Sequence, residues 1–166
     1  MISIQRILEW LENTPIAQAV AESTYLFPTI ESIHVLAVTF VVGSIAMVDL
    51  RLLGVTARDQ RPARIAYDIL PWTWGAFIVA ATAGFLLFIS HAEKYFDNTA
   101  FRAKFVLLAF AGINMLVFHL ITGRNMESWP EGAKTPVQAK IAGGVSLALW
   151  VGVVACGRWI GFTMFD

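Results

Sequence analysis

The chain has one cysteine, few charges and no excess of either sign, and each shortage excludes something. Cys156 is alone, so no intrachain disulfide exists. It lies within an apolar segment, where a thiol serves as a small hydrophobe, and it leaves the redox compartment open. Only 14% of the residues are charged, with 12 Lys plus Arg against 12 Asp plus Glu. The isoelectric point near 6.8 gives no global field to draw in a polyanion, which excludes nucleic acid as a partner. There is no Cys/His zinc spacing, no glycine-rich phosphate loop and no Ser/His/Asp set in a nucleophile context, so nothing points to hydrolysis. The five methionines are scattered rather than paired as soft ligands, which leaves copper handling without a motif.

What the chain does have is oil. Of 166 residues, 57% are apolar, and the mean hydropathy of +0.65 lies far from that of soluble domains. Crossing a hydrocarbon core takes about 20 residues of helix. Four runs meet that length, at about 27–53, 71–91, 101–123 and 137–162. Even spacing and short connections predict an all-α, antiparallel four-helix integral membrane bundle over residues 25–166. Pro71, Trp72 and Trp74 read as an interfacial start for the second run, and Trp10, Trp129 and Trp159 as further anchors. Glycines and alanines in the second, third and fourth runs mark places where backbones can approach.

Residues 1–24 differ. Ile4, Ile7, Leu8 and Leu11 recur at helical spacing opposite charges, which predicts an amphipathic helix on the bilayer surface. Gln5, Arg6, Glu9 and Glu12 interrupt it too often for a cleaved signal. Asn13-Thr14-Pro15 should end it, with a second short helix from Pro15 to Glu22.

With four spans, the loops after the first and third share one side. They carry Arg51, Arg58, Arg61, Arg64, Arg124, Lys134 and Lys140, seven cations, against Arg6, Lys94, Arg102, Lys104 and Arg158, five cations, on the other side. The positive-inside bias then places both termini outside the cytoplasm. The segment TARDQRPARIAYDILP, with apolar residues among its arginines, is expected to lie along the cytoplasmic headgroups.

The informative residues are polar ones in the wrong solvent. In FPTIESIHVLAVTF, Glu31 and His34 stand at the head of an apolar run, and His91 and His119 lie in or at the end of the second and third runs. An ionisable group at such a place is a functional candidate by default. His34 lies about one turn inside Glu31, and His91 closes the second span, so both are expected near the same face. Two neutral imidazoles at one depth can hold an iron porphyrin, which predicts a bis-His haem b site. Gly84, seven residues before His91, would leave room for the flat ring. Lys94, Arg102 and Lys104 would supply cations for its propionates, and Glu31 would bond the outer nitrogen of His34 or pair with Lys104. His119 lies roughly 22 Å deeper by the helical rise. It reads as a structural or proton-handling group, or as the ligand of a second cofactor beside Gly112.

The stretches ESIHVLAVTFVVGSIAMVDLRLLG and FRAKFVLLAFAGINMLVFH resemble an uncharacterised family of small bacterial inner-membrane proteins with four spans. More distantly they are similar to copper-resistance D-type membrane proteins and to the four-helix membrane protoporphyrinogen oxidase. Likeness to the oxidase implies haem b on the first-span histidine and a required third-span lysine, here His34 and Lys104. The chain departs from the oxidase in having Val41-Val42-Gly43 in place of an aromatic-Met-Gly segment, and in the additional His91.

The expected function is that of a membrane b-type cytochrome, with His34 and His91 as iron ligands, passing electrons from a quinol-like donor to a partner protein. Its partners would be the bilayer, a quinone, a redox protein and, as a homo-oligomer, further copies of itself. The alternatives are a cofactor-free anchor subunit of a larger complex, and a copper or proton transporter using Glu31, His34 and His119 as a relay.

Overall fold

A computed structural model describes residues 3–56, 61–123 and 135–164, and among these it is helical with no strand. Arg58, Met126, Trp129, Arg124 and Lys134 lie outside the described residues. Two short helices, α1 (Ile4–Glu12) and α2 (Pro15–Glu22), precede α3 (Leu26–Leu53) and α4 (Pro62–Ser90). The short α5 (Ala92–Asp97) leads to α6 (Thr99–Val117), whose last turn widens into a π-helical segment, Phe118–Thr122, and α7 (Val137–Thr163) ends the fold. Among the described residues four helices, counting α6 with its π segment, are long and apolar enough to cross a membrane. This is a multi-pass membrane protein.

Local chemistry sets the boundaries. Thr14 caps α2 by accepting the Ala17 N–H, with Pro15 at the first helical position. At the end of α3, Gly54 takes φ 76°, and the N–H groups of Gly54 and Val55 return to the carbonyls of Arg51 and Leu50. That left-handed closure favours glycine because a side chain would be strained there. Asn98 caps α6 by accepting the Phe101 N–H at 3.1 Å. Its amide also donates to Thr163 Oγ1 at 2.9 Å, tying the start of α6 to the end of α7.

The second span corrects the sequence reading. Pro71 does not open a helix; it lies inside α4, which begins at Pro62. Arg64 to Leu70 is thus part of that continuous helix. Proline removes one backbone donor, yet its fixed φ is helical, and a long helix packed on neighbours tolerates the loss.

In the bundle, α3 packs on α4 and on α7, and α7 packs on α6. Ala37, Val41, Ala80 and Ala83 are buried along α3 and α4, with Val41 only 2% exposed. Small side chains let these backbones approach, and in lipid that close packing replaces the hydrophobic effect as the cohesive term. Within it, Thr73 donates to Ser44 Oγ at 2.8 Å across α4 and α3, and Asn114 donates to the Ala142 carbonyl at 3.0 Å across α6 and α7. Around α5, Phe88 of α4 stacks on Phe101 of α6 at 5.4 Å, with Tyr95 at 5.3 Å from Phe101. The first two helices fold over this end: α1 packs on α5 and α4, burying Leu8.

Candidate functional site

The first span carries His34 on the side of α3 that meets α4. Its Nδ1 lies 2.8 Å from the Ala80 carbonyl oxygen. A carbonyl only accepts, so Nδ1 carries the proton, and in the neutral ring the lone pair is on Nε2. The same ring lies against Gly84. A Cβ there would come within 2.8 Å of His34 Cε1 and 3.1 Å of Nδ1. Gly84 therefore makes room for the imidazole itself, a contact that its spacing to His91 did not foretell.

His91 stands elsewhere. It ends α4 and begins α5, its ring meets Phe27 edge-on at 5.8 Å, and its Nδ1 is 3.1 Å from Ser90 Oγ. Phe27 is two turns before His34 on α3, and Gly84 two turns before His91 on α4. In an antiparallel pair the imidazoles are then about 10 Å apart in height. The expectation of two level rings fails on this register, which is set by the close contact of α3 with Gly84. Burial and the Lys94 ammonium hold the His91 imidazole below its ordinary value, with Glu12 acting in the opposite sense. Glu12 also accepts the Glu93 N–H at 2.9 Å, joining α1 to the first turn of α5.

The three cations expected to cluster are divided. Arg102 is exposed and donates to the Asp97 carbonyl at 2.9 Å, bracing the corner between α5 and α6. Lys94 is exposed on α5. Lys104 turns inward, with Nζ 3.8 Å from where a Cβ at position 157 would sit, so the amine lies beside Gly157 of α7. Its charge acts on His34, and Cys156 lies within electrostatic range of the amine. Glu31 is exposed, and its carboxylate, after burial, is the second cause that pushes the Tyr95 phenol up to about 12. His119 lies in the π-helical segment, exposed, with Nδ1 2.9 Å from the Met115 carbonyl one turn back on its own helix. A Cβ at Gly112 would meet nothing within 4 Å.

The structure thus gathers His34, Lys104 and Cys156 from α3, α6 and α7, with the His34 ring seated against Gly84. It leaves His91, Arg102 and His119 outside that group. Cys156 and Gly157 were invisible as partners of Lys104 in the sequence, because a cysteine and a glycine in an apolar run look like ordinary packing. Among the described residues no group of three or more His, Cys, Asp or Glu side chains is arranged to hold a metal ion.

Residues 7–163 match a family of unknown function, DUF6644. The chain belongs to that family. The DUF6644 match runs from within α1 to the last turn of α7, so the two N-terminal helices and the four spans form one family unit. No curated protein and no solved structure matches the chain.

Proposed function

We propose that this DUF6644 chain is a membrane b-type cytochrome that holds haem b through His34 and passes electrons between a quinol-like donor in the bilayer and a partner protein. The observation that carries the reading is the 2.8 Å bond from His34 Nδ1 to the Ala80 carbonyl. It fixes the tautomer and the ring orientation and leaves the Nε2 lone pair for iron, as an outer-shell carbonyl does for histidine ligands in general. Bound haem supplies one-electron chemistry, with a potential tuned by axial ligand and burial. Lys104 is the inward cation close enough to act on that ring, and its role is to balance a propionate or reduced-state charge. The likeness of the first and third spans to the haem-binding oxidase agrees with this pairing. His91 is not a ligand in this reading, because it stands two turns from His34.

The test is the dithionite-reduced visible spectrum of protein purified from haem-replete cells. A reduced haem band in the visible region that disappears in His34→Ala and persists in His91→Ala supports the proposal. A colourless wild-type preparation, or a band that survives His34→Ala, overturns it.

A further inference from the structure

At the opposite end of the bundle the structure contains a second polar group without an obvious reason. Asp49 lies in the last turns of α3 and is 5% exposed. The Ser146 side chain of α7 is the hydroxyl within reach of the carboxyl group, whereas Oδ2 has no hydrogen-bond partner among the described residues. Close packing of α7 on α3 adjoins it. At Gly143 an added Cβ would stand 3.1 Å from the Asp49 carbonyl oxygen and 3.2 Å from Leu52 Cβ, so α7 lies directly against the backbone of α3 there.

Among the described residues, the charged groups near it on α3, α4 and α7 have other partners or lie outward. Arg51, two residues on, donates to Thr135 Oγ1 at 3.4 Å. Lys140, near the head of α7, is exposed. On α4 the titratable groups at this level are Tyr67, which is exposed, and Asp68, which lines an outer groove with Met47 and Trp72. An ionised carboxylate with one hydroxyl partner in a water-poor interior is a costly arrangement. The neutral acid is far less so: its O–H donates to Ser146 Oγ, and Oδ2 becomes an uncharged carbonyl oxygen, the least costly kind of orphan.

We propose that Asp49 is an intramembrane proton-binding site, a carboxyl group carried as the neutral acid between α3 and α7. Proton exchange runs through the near end of the bundle, since Gly54 closes α3 about one and a half turns further on. The site is about four turns along α3 from His34, roughly 22 Å by the helical rise. It gives the bundle a loadable proton at the end away from the histidine, and it stands whether or not His34 binds haem.

Infrared spectroscopy of the full chain in liposomes tests this. A carbonyl band of a protonated carboxyl is expected at neutral pH, shifted in deuterated water, lost entirely in Asp49→Asn and lost in the wild type on raising the pH. Asp49→Asn is a neutral isostere and is expected to fold, as its unchanged elution and melting should show. Should it not fold, Ser146→Ala serves instead, and displacement of the band by loss of the hydroxyl partner assigns it to Asp49. Absence of the band at neutral pH overturns the proposal, as does a band unaffected by both substitutions. Suppression of the band by sodium or potassium at constant pH also overturns it, because the occupant would then be a metal cation.

Discussion

Ala80 accepts the Nδ1 proton of His34 one helical turn before Gly84, the residue against which the same ring lies. The carbonyl fixes the rotation of the imidazole and the glycine fixes its distance from α4. Polar orientation and steric clearance come from one stretch of one helix.

Gly84→Ala tests the clearance. A methyl group at 2.8 Å from His34 Cε1 forces a stiff ring or the helix backbone to shift, and overpacking of this kind costs about 1–3 kcal/mol. Thermal melting in detergent should fall accordingly, and any signal that depends on His34 should weaken with it. Melting equal to wild type would mean that α3 and α4 are further apart than described.

The hydroxyl pair one level deeper should matter less. Thr73 donates to Ser44 Oγ at 2.8 Å, but Ser44 itself donates to the Val41 carbonyl at 2.9 Å, so Thr73→Val leaves no donor stranded. Interhelical hydrogen bonds of this type are worth about 0.6 kcal/mol in a membrane bundle. Thr73→Val should shift the melting midpoint by less than Gly84→Ala does, and a larger shift would assign the pair a role beyond packing.

Glu12 and Lys94 should move His91 in opposite directions. Burial and Lys94 lower the imidazole and Glu12 raises it. Glu12→Gln should therefore move the NMR titration of the His91 ring to lower pH, and Lys94→Gln to higher pH. A folded-state value below the ordinary 6.5 means that the neutral ring contributes stability above that pH, and that this contribution is lost as the pH falls through the folded value. His91→Gln should flatten the acid side of the stability profile. Amide exchange gives a second readout, since Glu12→Ala removes the acceptor of the Glu93 N–H and should speed its exchange, while Glu12→Gln retains an acceptor.

Tyr95 governs the alkaline side. Its phenol is pushed up to about 12 by burial and by the Glu31 carboxylate, from an ordinary value of 10.0. The fold thus holds the phenol proton more tightly than the unfolded chain. Its contribution is present in full below pH 10 and is lost as the pH rises towards 12. Tyr95→Phe should flatten that alkaline loss and remove the latest tyrosinate absorbance step. Glu31→Gln should bring that step to lower pH. A step unchanged in Glu31→Gln would show that burial alone sets it.

Much of this was legible in the chain before folding. The four apolar runs fixed the number of membrane-crossing helices, because length and apolarity are one-dimensional properties. The Asn13-Thr14-Pro15 break appeared where expected, since capping is local chemistry. Pro71 misled for the complementary reason: its effect depends on what the surrounding helix packs against, and here α4 runs through it. His34 was legible as a polar group near the head of an oily run. Its partner was not, because a backbone carbonyl such as that of Ala80 has no sequence signature.

The sequence by itself determined composition, helix count and the places where a charge or an imidazole would be anomalous in lipid. Only the tertiary structure decided the register of α3 on α4, which separates His34 from His91 by two turns, and the inward turn of Lys104 toward Gly157 of α7. It likewise decided that Asp49 meets Ser146 and leaves one oxygen unmatched. Register and facing follow from where small residues allow two backbones to touch, and that is a property of pairs of helices that neither strip of sequence contains alone.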